Sequence, residues 1–355
     1  MATGGSVTEL TALPGLDALN NPQPDTEADR WLERAPQPRL MLFAGRSHPE
    51  LAHRIATELG IELGNVDLRT FANGETYCRY LDSIRGCDAF IVQSPAISPN
   101  DHLMELLVMI DAAKLASAKR ITAVLPWYPY SRQDKKSAPR EPITAKLIAE
   151  LLQAAGVDRV LTMDLHAGQI QGFFTIPVDH MTALKLFAQH FHDQGLAGEG
   201  VVVVSPDPGR AKIARKFAEL LDSDLAILNK ARPSHDVAQV TEVIGKVRGK
   251  TAVMTDDMIV TGGTLRAGAE ALLEAGAQVV YACATHALFP NGALQRLVES
   301  EIEQIVVTDT VPLSPLERPD KVQVLTVSKI LAESIRNVFS DESVSAIFAG
   351  ENQLF

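Results

Sequence analysis

From Leu40 onward, short apolar runs alternate with segments of helical spacing, and the alternation runs through the chain twice. In the first set, Leu40–Ala44, Ala89–Gln93, Ile121–Leu125 and Arg159–Met163 read as strands. Pro49–Leu59, Asp101–Ala118 and Ile143–Ala155 read as helices; Leu103, Leu106, Leu107, Ile110 and Ala113 make one stripe, and Gly156 stands where a helix C-terminus wants it. In the second set, the strands are Val201–Val204, Leu225–Leu228, Ala252–Met254, Val279–Ala284 and Val322–Val327, and the helices Ala211–Leu221, Thr264–Ala275 and Lys329–Val338. Val201–Val204 is an unbroken β-branched run, as in a strand buried on both faces. The alternation predicts an α/β protein of mainly parallel sheets flanked by helices. Its repetition predicts two similar domains, residues 39–181 and 182–339, which suits a chain of 355 residues. Ligands of such sheets sit outside the carboxyl ends of the strands, so chemistry is sought there.

Residues 1–38 read as a flexible tail, with Pro14, Pro22, Pro24, Pro36 and Pro38 and little apolar periodicity. No apolar run approaches the roughly 18 residues that a membrane span needs, and the N-terminus lacks the basic start and apolar stretch of a signal peptide. Both point to a cytoplasmic protein with no membrane partner. Cys78, Cys87 and Cys283 are scattered and suit neither a disulfide framework nor a zinc site. The net charge of −11 argues against nucleic-acid binding through a broad basic surface. Any phosphate recognition must therefore be local.

The sharpest local motif is the stretch from Thr251 to Thr264. An apolar strand ends in Asp256 and Asp257, and Thr261-Gly262-Gly263-Thr264 then opens a helix. Glycines allow backbone N–H groups to converge, and a helix N-terminus adds partial positive charge, so the loop suits one phosphate monoester. The two acids suit the 2- and 3-hydroxyls of a ribose. Thr-Gly-Gly-Thr alone would be only a tight turn; the acids and the helix around it make the cradle the better reading. Upstream, Gly245 to Thr251 resembles a P-loop, but its glycines are one residue too close and it precedes a strand, so it reads as a basic turn.

Four other strand ends carry candidates. Asp164 and His166 follow the Arg159–Met163 run two residues apart, which in an extended chain puts both on one face. Asp207, in Ser205-Pro-Asp-Pro-Gly209, suits a sugar hydroxyl, a metal or simply the cap of the next helix. After the third strand, Arg132, Lys135, Lys136 and Arg140 cluster in a long proline-punctuated loop, which reads equally as a closing lid over a polyphosphate or as a solvated charged loop. Lys230 and Arg232 alternate on an extended segment, a spacing that suits one polyphosphate; the alternative is a surface basic pair.

In order and spacing, Phe71-Ala-Asn-Gly-Glu75, Ser83-Ile-Arg-Gly-Cys-Asp88, Arg132-Gln-Asp-Lys-Lys136, Met163-Asp-Leu-His-Ala167, Gln169-Ile-Gln-Gly-Phe-Phe174 and Asp256–Thr264 resemble the ribose-phosphate diphosphokinase (phosphoribosyl pyrophosphate synthetase) family, from about Leu40 to the C-terminus. The resemblance implies two phosphoribosyltransferase-like domains, the first completed by residues 340–355. It implies a transferase of nucleotide biosynthesis: ATP and ribose 5-phosphate give phosphoribosyl pyrophosphate and AMP, with Mg²⁺. It places Phe71, Asn73, Glu75, Arg132, Gln133, Lys135 and Lys136 at ATP, with Phe71 stacked on adenine. Asp256, Asp257, Thr261, Gly262, Gly263 and Thr264 match the ribose 5-phosphate loop, and Lys230 and Arg232 the catalytic cations. His166, Asp207, Asp164 and Asp179 match metal-associated positions. Arg85 and Gln171 match a regulatory site for phosphate and ADP, in a homo-oligomer of dimers building a hexamer. The chain departs from the family's pattern at Val260 (for Asp), Thr175 (for Asp), Arg210 (for Gly) and Ala231 (for Arg). A phosphoribosyltransferase would share the cradle but not the two-domain length or the Arg132–Lys136 loop. A catalytically silent regulatory subunit would be free to lose the cations that this chain keeps.

Overall fold

The computed structural model describes residues 39–234, 237–290, 292–313 and 319–348. The tail at 1–38 and the end of the C-terminal segment, 349–355, lie outside the described residues. The first sheet is built from β1 (Leu40–Ala44), β4 (Asp88–Val92), β5 (Arg120–Leu125), β6 (Arg159–Met163) and β7 (Val178–Met181), in that order and all parallel. Helices α1 (Pro49–Leu59), α2 (Pro99–Leu115) and α3 (Thr144–Ala155) connect its strands. β2 (Val66–Thr70) and β3 (Thr76–Tyr80) form a separate hairpin, too short in apolar content to stand out in the sequence.

After α4 (Leu184–Asp193), the second sheet runs β10 (Val237–Ile244), β9 (Asp224–Ser234), β8 (Val201–Ser205), β11 (Thr251–Ile259), β12 (Val279–Ala287), β13 (Gln304–Thr308) and β14 (Val322–Leu325). Only the β9–β10 pair is antiparallel. All five residues of β8 are buried, as its unbroken valines predict. Its flanking helices are α5 (Ala211–Leu220), α6 (Gly263–Glu274) and α7 (Ala293–Val298). The Gly245–Lys250 stretch is the turn from β10 to β11, with Lys250 held by the Glu199 carbonyl and the Asp224 carboxylate.

Strand order decides where a ligand can sit. From β8 the chain first builds outward through β9 and β10, then returns to lay β11 on the other side of β8. The connections leaving β8 and β11 therefore diverge, and a crevice opens beyond their carboxyl ends.

The two sheets share a core. Leu42, Phe90 and Val92 of the first belong to the same buried cluster as Val203, Val253 and Val306 of the second. The last helix, α8 (Ser328–Phe339), follows the second sheet but packs on α1 of the first, with Leu331 and Ile335 fully buried. Beyond it, Asp341 pairs with Arg120, which also holds Asp88. Polar groups cross the seam too: His48 Nε2 meets the Asp309 carbonyl at 2.8 Å, and Ser94 donates to the Thr310 carbonyl. Among the described residues no helix is long and apolar enough to cross a membrane.

Candidate active site

A cavity of about 680 Å³ lies at the carboxyl ends of β8 and β11, where the strand order turns back. The second half of the chain supplies Asp207 and Arg210 from the β8–α5 connection, Lys212 from the start of α5, residues 256–259 from the end of β11, residues 260–262 from the β11–α6 connection, and Thr264 and Leu265 from the start of α6. The first supplies Arg132, Lys135, His166 and Gln169.

The β11–α6 connection turns at Gly262, whose φ is +76°, and α6 begins at the next residue. A side chain at Gly262 would also strike buried Leu297, so both conformation and space demand glycine. The first N–H groups of a helix lack partners within it, so the positive end of the α6 dipole lies where Gly262, Thr264 and Leu265 line the cavity. Val260, the departure within this loop, packs with Trp127, Met258 and Val311 and lines the wall without a charge.

Asp257 is buried between two partners. Its Oδ2 lies 2.6 Å from His166 Nδ1, across the seam between the sheets. Its Oδ1 pairs with the Arg210 guanidinium, whose Nε is 3.3 Å from Asp256 Oδ1. A carboxylate only accepts, so His166 donates from Nδ1 and turns an unprotonated Nε2 toward other partners. Burial, helped by the Arg210 charge, holds the His166 pKa below its usual value and keeps the ring neutral. Asp207 caps the turn into α5, accepting the Arg210 N–H at 3.1 Å, and lines the cavity as well, so its capping and ligand readings coexist.

Asp164 and Asp179 do not join His166 and Asp207. β6 ends at Met163, and Asp164 has φ +33°, so the two-residue alternation that would align it with His166 fails. Its carboxylate turns inward instead and accepts from the Ala183 N–H (2.9 Å) and the Thr285 hydroxyl (2.6 Å). Asp179 sits inside β7, paired with Arg159 at 2.6 Å. Thr175 also faces elsewhere, bonding Gln153.

Among the described residues no group of three or more His, Cys, Asp or Glu side chains could hold a metal. A carboxylate-backed histidine and Asp207 lining one cavity nevertheless fit a cation that keeps most of its waters and shares substrate phosphates, as Mg²⁺ does.

The basic loop is anchored rather than loose. Asp134 is buried and accepts from Gln169, and Glu141 accepts the N–H groups of Ser137 and Ala138. This places Arg132 and Lys135 on the cavity wall; Lys136 and Arg140 are exposed outside it. Gln133 is engaged by Thr144. Phe71, Asn73 and Glu75 lie at the exposed tip of the β2–β3 hairpin, which does not line the cavity. β9 carries Lys230 and Arg232 on its backbone, beside a register shift in its pairing with β10; their side chains lie outside the described residues. Arg85 is on an exposed turn before β4, and Gln171 on a turn after β6, bonded to the Gly168 carbonyl. Gln169, Lys212 and the substrate-side position of Arg210 were not legible from spacing; only the departure at 210 hinted at the last.

Residues 40–156 match the model of the N-terminal domain of ribose phosphate pyrophosphokinase, and residues 233–349 that of the phosphoribosyl synthetase-associated domain. The ribose-phosphate pyrophosphokinase of Fusobacterium nucleatum is 49% identical over 309 residues, spanning 87% of this chain and 98% of that protein. The chain belongs to the ribose-phosphate pyrophosphokinase family. Its ribose-phosphate pyrophosphokinase relative from Caldanaerobacter subterraneus is 50% identical over 309 residues, 87% of this chain and 98% of that one. The crystal structure of phosphoribosylpyrophosphate synthetase from Mycobacterium smegmatis superposes with a TM-score of 0.79 at 48% identity, covering 85% of this chain and 99% of that chain. The two-sheet architecture is thus that of the family.

Proposed function

We propose that this chain is a ribose-phosphate diphosphokinase, transferring the β,γ-diphosphoryl group of ATP to the C1 hydroxyl of ribose 5-phosphate. The observation that carries the reading is the convergence, in one cavity, of the phosphate cradle, the acid pair, His166 and the loop cations. The 5-phosphate sits on residues 261–264, and the ribose hydroxyls face Asp256 and Asp257. Arg132 and Lys135 receive the polyphosphate from the opposite wall, and Phe71, Asn73 and Glu75 serve the adenine end. His166 Nε2 and Asp207 would hold Mg²⁺, which when bound neutralises phosphate charge. Lys230 and Arg232 stabilise charge that develops on the transferred group. Positioning and charge compensation dominate phosphoryl-type transfer, so no strong base is required. We place the enzyme in the cytoplasm, as a homo-oligomer of dimers, with Arg85 and Gln171 serving regulation.

A silent regulatory subunit is the second reading. It is favoured by Arg210, which already occupies the acid pair, and by Val260 and Ala231. AMP release from ATP by the purified protein separates the two. Release that requires both ribose 5-phosphate and Mg²⁺ supports the diphosphokinase. None under any phosphate or metal condition supports the silent subunit.

A further inference from the structure

Both oxygens of Asp257 are engaged within the protein, one by His166 and one by Arg210. Asp256 Oδ1 receives the Asp257 N–H at 2.9 Å and faces Arg210 Nε at 3.3 Å. These carboxylates are the groups assigned above to the sugar hydroxyls. Arg210 therefore stands where a ribose diol must bind.

The placement is built in. The backbone of Arg210 is fixed by the Asp207 cap at the start of α5. Its side chain is only 12% exposed and crosses from the β8–α5 connection to the carboxyl end of β11. Two adjacent, largely buried carboxylates need a counter-charge, and Arg210 supplies one. A guanidinium and a sugar hydroxyl are both donors, so they compete for the same carboxylate lone pairs. Arg210 also lines the cavity that holds the cradle, so an entering phosphate offers it a second anionic partner.

We propose that Arg210 competes with the vicinal hydroxyls of ribose 5-phosphate for Asp256 and Asp257, and so sets how strongly the site selects ribose. The inference rests on the ribose 5-phosphate reading of the cavity. On binding, the guanidinium exchanges a carboxylate partner for the substrate phosphate while the diol takes its place on the acids. Because the diol must displace the guanidinium from a carboxylate that a sugar lacking one hydroxyl leaves in place, the cost of this exchange falls mainly on ribose, and Arg210 lowers the advantage of ribose over that sugar.

The test is calorimetric titration of the full-length protein with ribose 5-phosphate and with 2-deoxyribose 5-phosphate. Wild type is compared with Arg210→Ala and Arg210→Lys. The readout is the ratio of the two affinities, because any attraction between residue 210 and the 5-phosphate is common to both sugars and cancels. Freeing the acids for one charge-assisted hydrogen bond widens the ratio by about tenfold in Arg210→Ala. Arg210→Lys moves it in the same direction by less, since an ammonium cannot fork across both acids. A ratio unchanged or narrowed in both variants overturns the proposal and makes Arg210 a strut. If Arg210→Ala does not fold, Arg210→Lys alone decides on the same criterion. If folded wild type binds neither sugar, the ribose 5-phosphate reading itself fails and the inference with it.

Discussion

Replacing Gly262 by alanine tests the cradle at the point where backbone geometry and function meet. Gly262 has φ +76°, which costs an L-residue about 1–2 kcal/mol. An added Cβ would lie 2.6 Å from Leu297 Cγ and 2.9 and 3.0 Å from its two methyl carbons. Leu297 is fully buried in α7 and cannot swing away, so overpacking adds about 1–3 kcal/mol. The sum is about 2–5 kcal/mol, a large part of the roughly 5–15 kcal/mol that holds a typical domain. The loop can relieve the clash only by opening, which would spoil the proposed phosphate cradle. We therefore expect Gly262→Ala to unfold at lower urea concentration, to bind ribose 5-phosphate more weakly, or both. The control is Gly263→Ala, whose Cβ would meet only Thr261 Oγ1, at 3.8 Å, and which leaves urea stability unchanged. Urea melts followed by circular dichroism, with calorimetric titration of ribose 5-phosphate, read both effects. A Gly262→Ala protein equal to wild type in both assays would refute the argument from geometry.

Two other outcomes are expected. Lys230→Ala should lower kcat by about 10²–10³ with little change in KM, the usual cost of one well-placed donor to a developing charge; steady-state kinetics with unchanged turnover would remove Lys230 from the mechanism. Burial pushes the pKa values of His180 and His286 below the ordinary 6.5, so both are neutral when folded but protonate on unfolding. Their stabilisation is complete above about pH 6.5 and is lost as pH falls below it, by roughly 1.4 kcal/mol per pH unit for each histidine. Urea midpoints measured at pH 7.5 and 5.5 should differ accordingly, and equal midpoints would sink the assignment of two neutral rings.

Much of the site was legible because it is local. The strand, the acids, the glycine turn and the helix of the cradle fall within one short stretch, Thr251–Thr264, so periodicity and turn chemistry suffice to place them relative to one another. The same holds for β8 and its cap at Asp207, and for most of the strands and helices, whose apolar spacing is strong. The short hairpin of β2 and β3 escaped, because five-residue strands with half-exposed faces carry little pattern.

What spacing could not decide are the contacts between elements far apart in the chain. Nothing near Met163 announces that Asp164 leaves extended geometry to meet Thr285, while His166 reaches Asp257. Nothing near Gly209 says that the Arg210 side chain will lie across two carboxylates at the end of another strand. Nor does the amphipathic pattern of α8 reveal that its partner is α1, in the other half of the molecule. The amino-acid sequence by itself determined the elements, their order and the local cradle, because these depend on backbone propensity and on periodicity within a few residues. Only the tertiary structure decided which strand ends meet and which charges neutralise each other, because those depend on how whole layers pack to bury a shared core.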